Sequence, residues 1–184
     1  GALVVDENDE VLVIMEREAE RINRLVRDLL HLSRVEAEER VRPTTLVDIV
    51  ALVQSVLTAL RPMAAARGVD LVTEGGEGPL PVPGDADQLT QVFHNLVENA
   101  VKYGCRDRPV TLRFGQEATP RGPAVRIDVI DRGEGIYPLH LPRLTERFYR
   151  VDSHRSREEG GTGLGLSIVK HVVNRHRGSL RIDS

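Results

Sequence analysis

Only one cysteine, Cys105, occurs in the 184 residues, so no internal disulfide framework is available and the chain suits a reducing compartment. With no base identifiable beside it, that thiol reads as structural or incidental. Nowhere does an apolar run approach the ~20 residues that span a bilayer, so any membrane anchor is expected in segments absent from this chain. Positive charge is not in excess: 25 Lys and Arg against 28 Asp and Glu leave a net charge of -3, which gives a nucleic-acid role no electrostatic support. Internal repeats and low-complexity tracts are also missing. What remains is an apolar content of 40%, enough for the core of one medium domain with a helical appendage.

The first boundary falls near Arg42-Pro43. From about Glu10 to Arg40 the pattern is helical, with Val11, Met15, Ile22, Leu25, Leu29 and Leu32 near heptad spacing and Val26 and Leu30 widening the stripe. Pro43 ends it. Thr44 to Val47 is predicted as a short strand, Asp48 as the cap of a helix to about Ala66, Gly68 as its stop, and Val69 to Thr73 as the next strand. Gly75 to Pro79 is a loop. Asp85 and Gly104 bracket a further helix, Val110 to Phe114 and Val125 to Ile130 read as neighbouring strands with a turn at Pro120 to Pro123, Leu164 to Arg175 as the last helix and Leu180 to Ile182 as a last strand.

Three motifs carry chemistry. Gly161-Thr162-Gly163-Leu164-Gly165-Leu166 opens an apolar helix; glycines let the backbone approach a ligand, and a helix N-terminus offers unpaired N–H groups to phosphate oxygens. Alone, such a run marks a plain helix start as readily as a phosphate site. Within the preceding long helix, Asn95 and Asn99 stand four apart on one face with Lys102 close by. Amide carbonyls suit Mg²⁺, which keeps waters and is shared with phosphates, and a lysine supplies a point charge, although a solvated polar face has the same pattern. Asp131-Arg132-Gly133-Glu134-Gly135-Ile136 follows a strand: the carboxylate can accept a hydrogen bond from an exocyclic amine while the glycines leave room for a flat ring, and an ordinary turn has the same composition.

The order of these motifs resembles sensor histidine kinases. Asn95 to Tyr103 is similar to their N box, Asp131 to Ile136 to the first glycine box, Glu146-Arg147-Phe148-Tyr149-Arg150 to the F box, and Gly161 to Leu166 to the second glycine box. Met15 to Glu36 resembles the second helix of the dimerisation and phosphotransfer domain, with wording nearest the phosphate-regulon sensors. The resemblance implies two units: residues 1-42 as that helix, with the first helix absent, and 43-184 as a C-terminally truncated catalytic domain. The implied fold is α/β, the GHKL or Bergerat-type sandwich of a mixed sheet and helices, shared with DNA gyrase and mismatch-repair ATPases.

Carried over residue by residue, the resemblance makes Asn99 the Mg²⁺ ligand with Asn95 beside it, Lys102 a phosphate contact and Tyr103 a partner of the adenosine moiety. Asp131 would hold the adenine amine with clearance from Gly133 and Gly135, and Gly161, Thr162, Gly163, Leu164 and Gly165 would line the phosphates. Asn95, Lys102 and Arg150 are the catalytic candidates, Arg150 reaching the γ-phosphate; Glu98 is a weaker accessory acid or base. A polar stretch from Arg150 to Glu159, with Arg155 and Arg157, suits a lid over ATP.

Asn95 occupies a position that is glutamate in relatives that hydrolyse ATP with an activated water, which favours transfer to a protein nucleophile over hydrolysis. The expected reaction is Mg-ATP-dependent phosphorylation of a histidine and relay to an aspartate of a response regulator, by a cytoplasmic portion of a membrane-anchored homodimer. The accepting histidine motif is absent, so the chain is expected to be inactive alone; His31, without an acidic neighbour, is a poor substitute. A stand-alone ATPase of the same fold and a non-catalytic, nucleotide-gated interaction module are the alternatives. The apolar stripe of the first helix is expected to face other helices and to be structurally separate from the nucleotide pocket.

Overall fold

A computed structural model describes residues 7–37, 41–120, 122–151 and 161–184. Its elements are α1 (Glu7–Ala37), β1 (Leu46–Asp48), α2 (Ile49–Ala66), β2 (Leu71–Glu74), β3 (Pro81–Pro83), α3 (Ala86–Tyr103), β4 (Val110–Thr119), β5 (Gly122–Ile130), a short 3-10 turn (Leu141–Arg143) and α4 (Gly165–Arg175).

Local chemistry sets the helix starts. Asp48 caps α2 by accepting from Val50 N–H at 3.1 Å, and the same oxygen accepts Leu80 N–H at 3.1 Å, so one carboxylate joins the helix to the chain entering β3. Asp85 caps α3 by accepting from the N–H groups of Asp87 and Gln88, each at 3.1 Å. Gly68 follows α2 with φ +68°, a left-handed stop that glycine adopts without steric cost.

β4 lies between β2, to which it runs parallel, and β5, to which it runs antiparallel; β1 and β3 form a separate antiparallel pair. This mixed sheet covers one face with α2 and α3. Val110, Leu112 and Phe114 alternate inward from β4 and meet Val53, Leu57 and Leu60 of α2 and Phe93, Val97 and Val101 of α3. Each such side chain contributes about 1.5 to 3 kcal/mol when fully buried. The expected mixed-sheet sandwich is therefore present.

Four expectations change. β3 goes unpredicted because prolines stand at both its ends, and β1 begins later than the predicted strand, at Leu46. Leu180 to Ile182 form no strand: among the described residues no neighbour hydrogen-bonds to them as a ladder, and Leu180 packs instead against an apolar cluster. α2 is long and apolar enough to cross a membrane by composition, with mean hydropathy 1.6, but its apolar side is used against α3 and the sheet. Finally, the stripe of α1 is two stripes. Leu32 and Val35, with Leu25 beside them, pack on Val92 of α3 and on Leu164, Ile168, Val169 and Val172 at and within α4, whereas Val11, Met15, Ile22, Val26, Leu29 and Leu30 are exposed. Helix α1 is thus docked on the element that begins with the second glycine box, not separate from it.

Candidate functional site

α3 is a rail along which the motifs are set out. Near its middle, Asn95 is 8% exposed and both ends of its amide are used: the oxygen accepts from Gln91 Nε2 at 2.9 Å and the nitrogen donates to the Gly165 carbonyl at 3.2 Å. Gly165 has no side chain, and a Cβ there would lie 3.6 Å from the Asn95 amide carbon, so the glycine box approaches α3 closely. One turn on, Asn99 is half-buried, and among the described residues its amide has no hydrogen-bond partner. Lys102 Nζ lies 2.7 Å from Glu98 Oε1, with His94 Nδ1 at 3.7 Å from the same carboxylate. Glu98 is therefore occupied with its own helix face.

The other end of α3 meets the Asp131 loop. Gly133 fits against the Tyr103 carbonyl, where a Cβ would stand 2.7 Å from the oxygen, and a Cβ on Gly104 would come within 3.5 Å of the Asp131 side chain. Asp131 itself is exposed and closes an Asx turn, one carboxylate oxygen accepting Gly133 N–H at 2.8 Å. Tyr103, Asp131 and Gly133 therefore come together. Gly135, with φ +80°, leads to Ile136, whose N–H donates to Ser184 Oγ at 2.6 Å.

The second glycine box is held by its neighbours on three sides. Thr162 Oγ1 donates to Asp28 Oδ2 of α1 at 2.7 Å and accepts Leu164 N–H at 3.3 Å. Gly163 has φ +74° and accepts Phe148 N–H at 2.9 Å through its carbonyl, which stitches the F box to the glycine box. Leu164 is fully buried in the cluster shared by α1, α3 and α4 and so fixes where the loop enters its helix. Arg147 of the F box forms an ion pair with Glu36 of α1, whose carboxylate also lies 3.6 Å from His171 Nε2. Arg150 is half-buried. Of the expected lid from Arg150 to Glu159, residues 152–159, with Arg155 and Arg157, lie outside the described residues.

His176, at the end of α4, fastens that helix to the start of α3. Asp85 N–H donates to its Nε2 at 3.0 Å, so the ring proton sits on Nδ1, which donates to the Val172 carbonyl at 2.8 Å. Burial pushes its pKa below the ordinary histidine value, against the raising effect of the Val172 hydrogen bond.

Asp28, Glu36 and His176 were not legible as site residues, because each finds its partner across a long sequence separation; the only local signal is that Asp28 shares a helix face with Leu25, Leu32 and Val35. His31 is half-buried and has no hydrogen-bond partner among the described residues. Cys105 is exposed and free. A hollow of about 260 Å³, lined by Glu74, Arg108, Thr111, Arg113 and Arg132 among others, opens on the sheet face away from α2 and α3 and is not the place where the motifs meet.

Known proteins resemble this chain in sequence and in fold. The phosphate regulon sensor protein PhoR of Pseudomonas aeruginosa is 39% identical over 170 residues, covering 92% of this chain and 37% of that protein. Among solved structures, a mycobacterial sensor histidine kinase, MprB, superposes with a TM-score of 0.61 at 30% identity over 76% of this chain and 85% of that one. Full-length ShkA in complex with AMPPNP superposes with a TM-score of 0.67 at 28% identity over 92% of this chain and 34% of that one. The chain spans less than half the length of the curated relatives it matches. Residues 84–184, which hold all four boxes, match the family model described as histidine kinase-, DNA gyrase B-, and HSP90-like ATPase, and the chain belongs to that ATP-binding family.

Proposed function

We propose that this chain is the nucleotide-binding part of a sensor histidine kinase, together with the second helix of its phosphotransfer domain. The observation that carries the reading is the layout along α3: the glycine box touches it at Asn95 and the Asp131 loop touches it at Tyr103. Eight residues separate the two, about 12 Å at 1.5 Å per residue, a span suited to an extended nucleotide with phosphates at one end and base at the other. Asp131 accepts from the adenine amine, Gly133 and Gly135 clear the ring, and Tyr103 packs on the adenosine. Gly161, Thr162, Gly163, Leu164 and Gly165 receive the phosphates at the start of α4.

The residues present suit Mg²⁺. Asn99 keeps an amide oxygen with no partner among the described residues, on the face shared with Asn95, and a single neutral oxygen donor matches an ion that takes its other ligands from phosphates and water. Once bound, Mg²⁺ supplies charge neutralisation to the triphosphate. Asn95, tied to Gly165, holds the phosphate loop at a fixed distance from Asn99. Lys102 exchanges Glu98 for a phosphate oxygen, and Arg150 reaches the γ-phosphate from the F box.

In the complete protein the γ-phosphoryl group passes to a histidine nitrogen of the first phosphotransfer helix: the bond to the ADP oxygen breaks as the nitrogen–phosphorus bond forms, and a response-regulator aspartate is the next acceptor. Asn95 in place of a glutamate leaves no general base for water at that position, which supports transfer over hydrolysis. The exposed stripe of Ile22, Val26, Leu29 and Leu30 supports a homodimer through α1. The unit works on the cytoplasmic side of a membrane anchored elsewhere in the protein.

Isothermal calorimetry tests the reading. Parent chain should bind Mg-ATP; Asn99→Ala should lose chiefly the Mg²⁺-dependent part and Asp131→Ala should weaken ADP and ATP alike. Labelled ATP should leave no acid-labile phosphate on the chain alone and some on an intact phosphotransfer domain added in trans. Absence of Mg-ATP binding at millimolar concentration would refute the assignment.

A further inference from the structure

We propose that α1 gates the phosphate end of the nucleotide site, with Asp28 and Glu36 each holding one lip of it. This inference rests on the nucleotide-binding reading above and concerns how that same site is regulated. Asp28 takes the hydroxyl proton of Thr162 at 2.7 Å, so the Thr162 donor ahead of α4 is already committed when α1 is docked, while the Thr162 oxygen takes Leu164 N–H at 3.3 Å within the loop itself. Glu36 takes Arg147 of the F box, and the F box is bound to the glycine box through Phe148 N–H and the Gly163 carbonyl. Leu32 and Val35 sit between the two carboxylates on the same helix face and are buried against Leu164, Ile168, Val169 and Val172.

The arrangement sets two kinds of anion against each other. A carboxylate and a phosphate ask for the same donors, and each raises the cost of bringing the other close. A triphosphate seated in the glycine box draws Thr162 and Arg147 away from Asp28 and Glu36, while the apolar contact at Leu32 and Val35 is left as the pivot. Coupling is reciprocal by linkage: whatever the α1 carboxylates take from nucleotide affinity, bound nucleotide takes from the docking of α1. The helix that carries the dimerisation stripe thereby senses whether the phosphate end is filled. A structural tie alone predicts a different response, since cutting a supporting contact would loosen the site for every ligand.

The test compares Mg-ATP with adenosine, which has the base and sugar but no phosphate. Titrations of the whole chain by calorimetry should show Asp28→Asn binding Mg-ATP at least about fivefold more tightly than the parent, with adenosine affinity unchanged. Glu36→Gln provides an independent variant with the same expected direction, and a melting curve verifies that each is folded. In the parent, Mg-ATP but not adenosine should speed amide hydrogen exchange in α1 over residues 22–31. Equal or weaker Mg-ATP binding in both folded variants, or a parallel loss for ATP and adenosine, overturns the gate and leaves the nucleotide-binding reading standing. A parent chain that binds no Mg-ATP removes that reading, and the gate with it.

Discussion

Replacing Gly163 with alanine examines the joint between the glycine box and the F box directly. Gly163 has φ +74°, a region that costs an L-residue about 1 to 2 kcal/mol. The added Cβ would also lie 2.9 Å from both the Cα and the carbonyl carbon of Phe148, which are backbone atoms and cannot rotate aside. Relief requires breaking the 2.9 Å hydrogen bond from Phe148 N–H to the Gly163 carbonyl, itself about 1 kcal/mol. Together these give a destabilisation of about 2 to 4 kcal/mol, or a melting temperature lowered by roughly 5 to 15 °C in a chain of this size. Gly115→Ala is the matched control: a Cβ there meets nothing within 4 Å and φ is ordinary, so the substitution should be neutral or stabilise by about 0.5 to 1 kcal/mol. Thermal unfolding by circular dichroism reads both. Gly163→Ala melting within a degree of the parent, or the two variants shifting alike, would refute the claim that the F box closes on this glycine.

Three further outcomes follow from contacts elsewhere. Asn95→Leu leaves the Gly165 carbonyl and Gln91 without their partner and should cost about 1 to 3 kcal/mol in urea unfolding; an unchanged midpoint would mean the amide does not hold the glycine box. His176 is held neutral with a lowered pKa, so the unfolded chain takes up its proton first as pH falls: stability should be full above the ordinary histidine value near 6.5 and decline below it towards the lowered pKa, and His176→Gln should flatten that part of the pH–stability curve. Ile22→Glu combined with Leu29→Glu should turn a self-associating chain into a monomer that still binds ATP, because both side chains lie on the exposed stripe; sedimentation of the parent as a monomer at high micromolar concentration would count against a dimer through α1.

How far the sequence could be read depends on the distance over which each choice is made. Asp48 and Asp85 were legible as caps because a capping carboxylate acts on N–H groups two or three residues away, and the four boxes were legible because each is a contiguous string whose chemistry is local. The split of α1 into two stripes was not, since spacings of three and four place Leu25, Leu29 and Leu32 on adjoining faces without saying which face another element will cover. That depends on Leu164, Ile168 and Val172, more than a hundred residues later. The missing strand at Leu180 to Ile182 fails for a related reason: alternation shows that a segment could pair, while pairing itself needs a neighbour that no local pattern supplies. Asp28 is the sharpest case. An acidic residue on a charged helix reads as a solvated face, and only its 134-residue separation from Thr162 in the chain, closed to 2.7 Å in the fold, turns it into a contact with the second glycine box. The motif residues were thus visible from their own strings, whereas those that join the second glycine box and the F box to the helix are set by packing, and the apolar pair Leu32 and Val35 is what brings Asp28 and Glu36 to their partners.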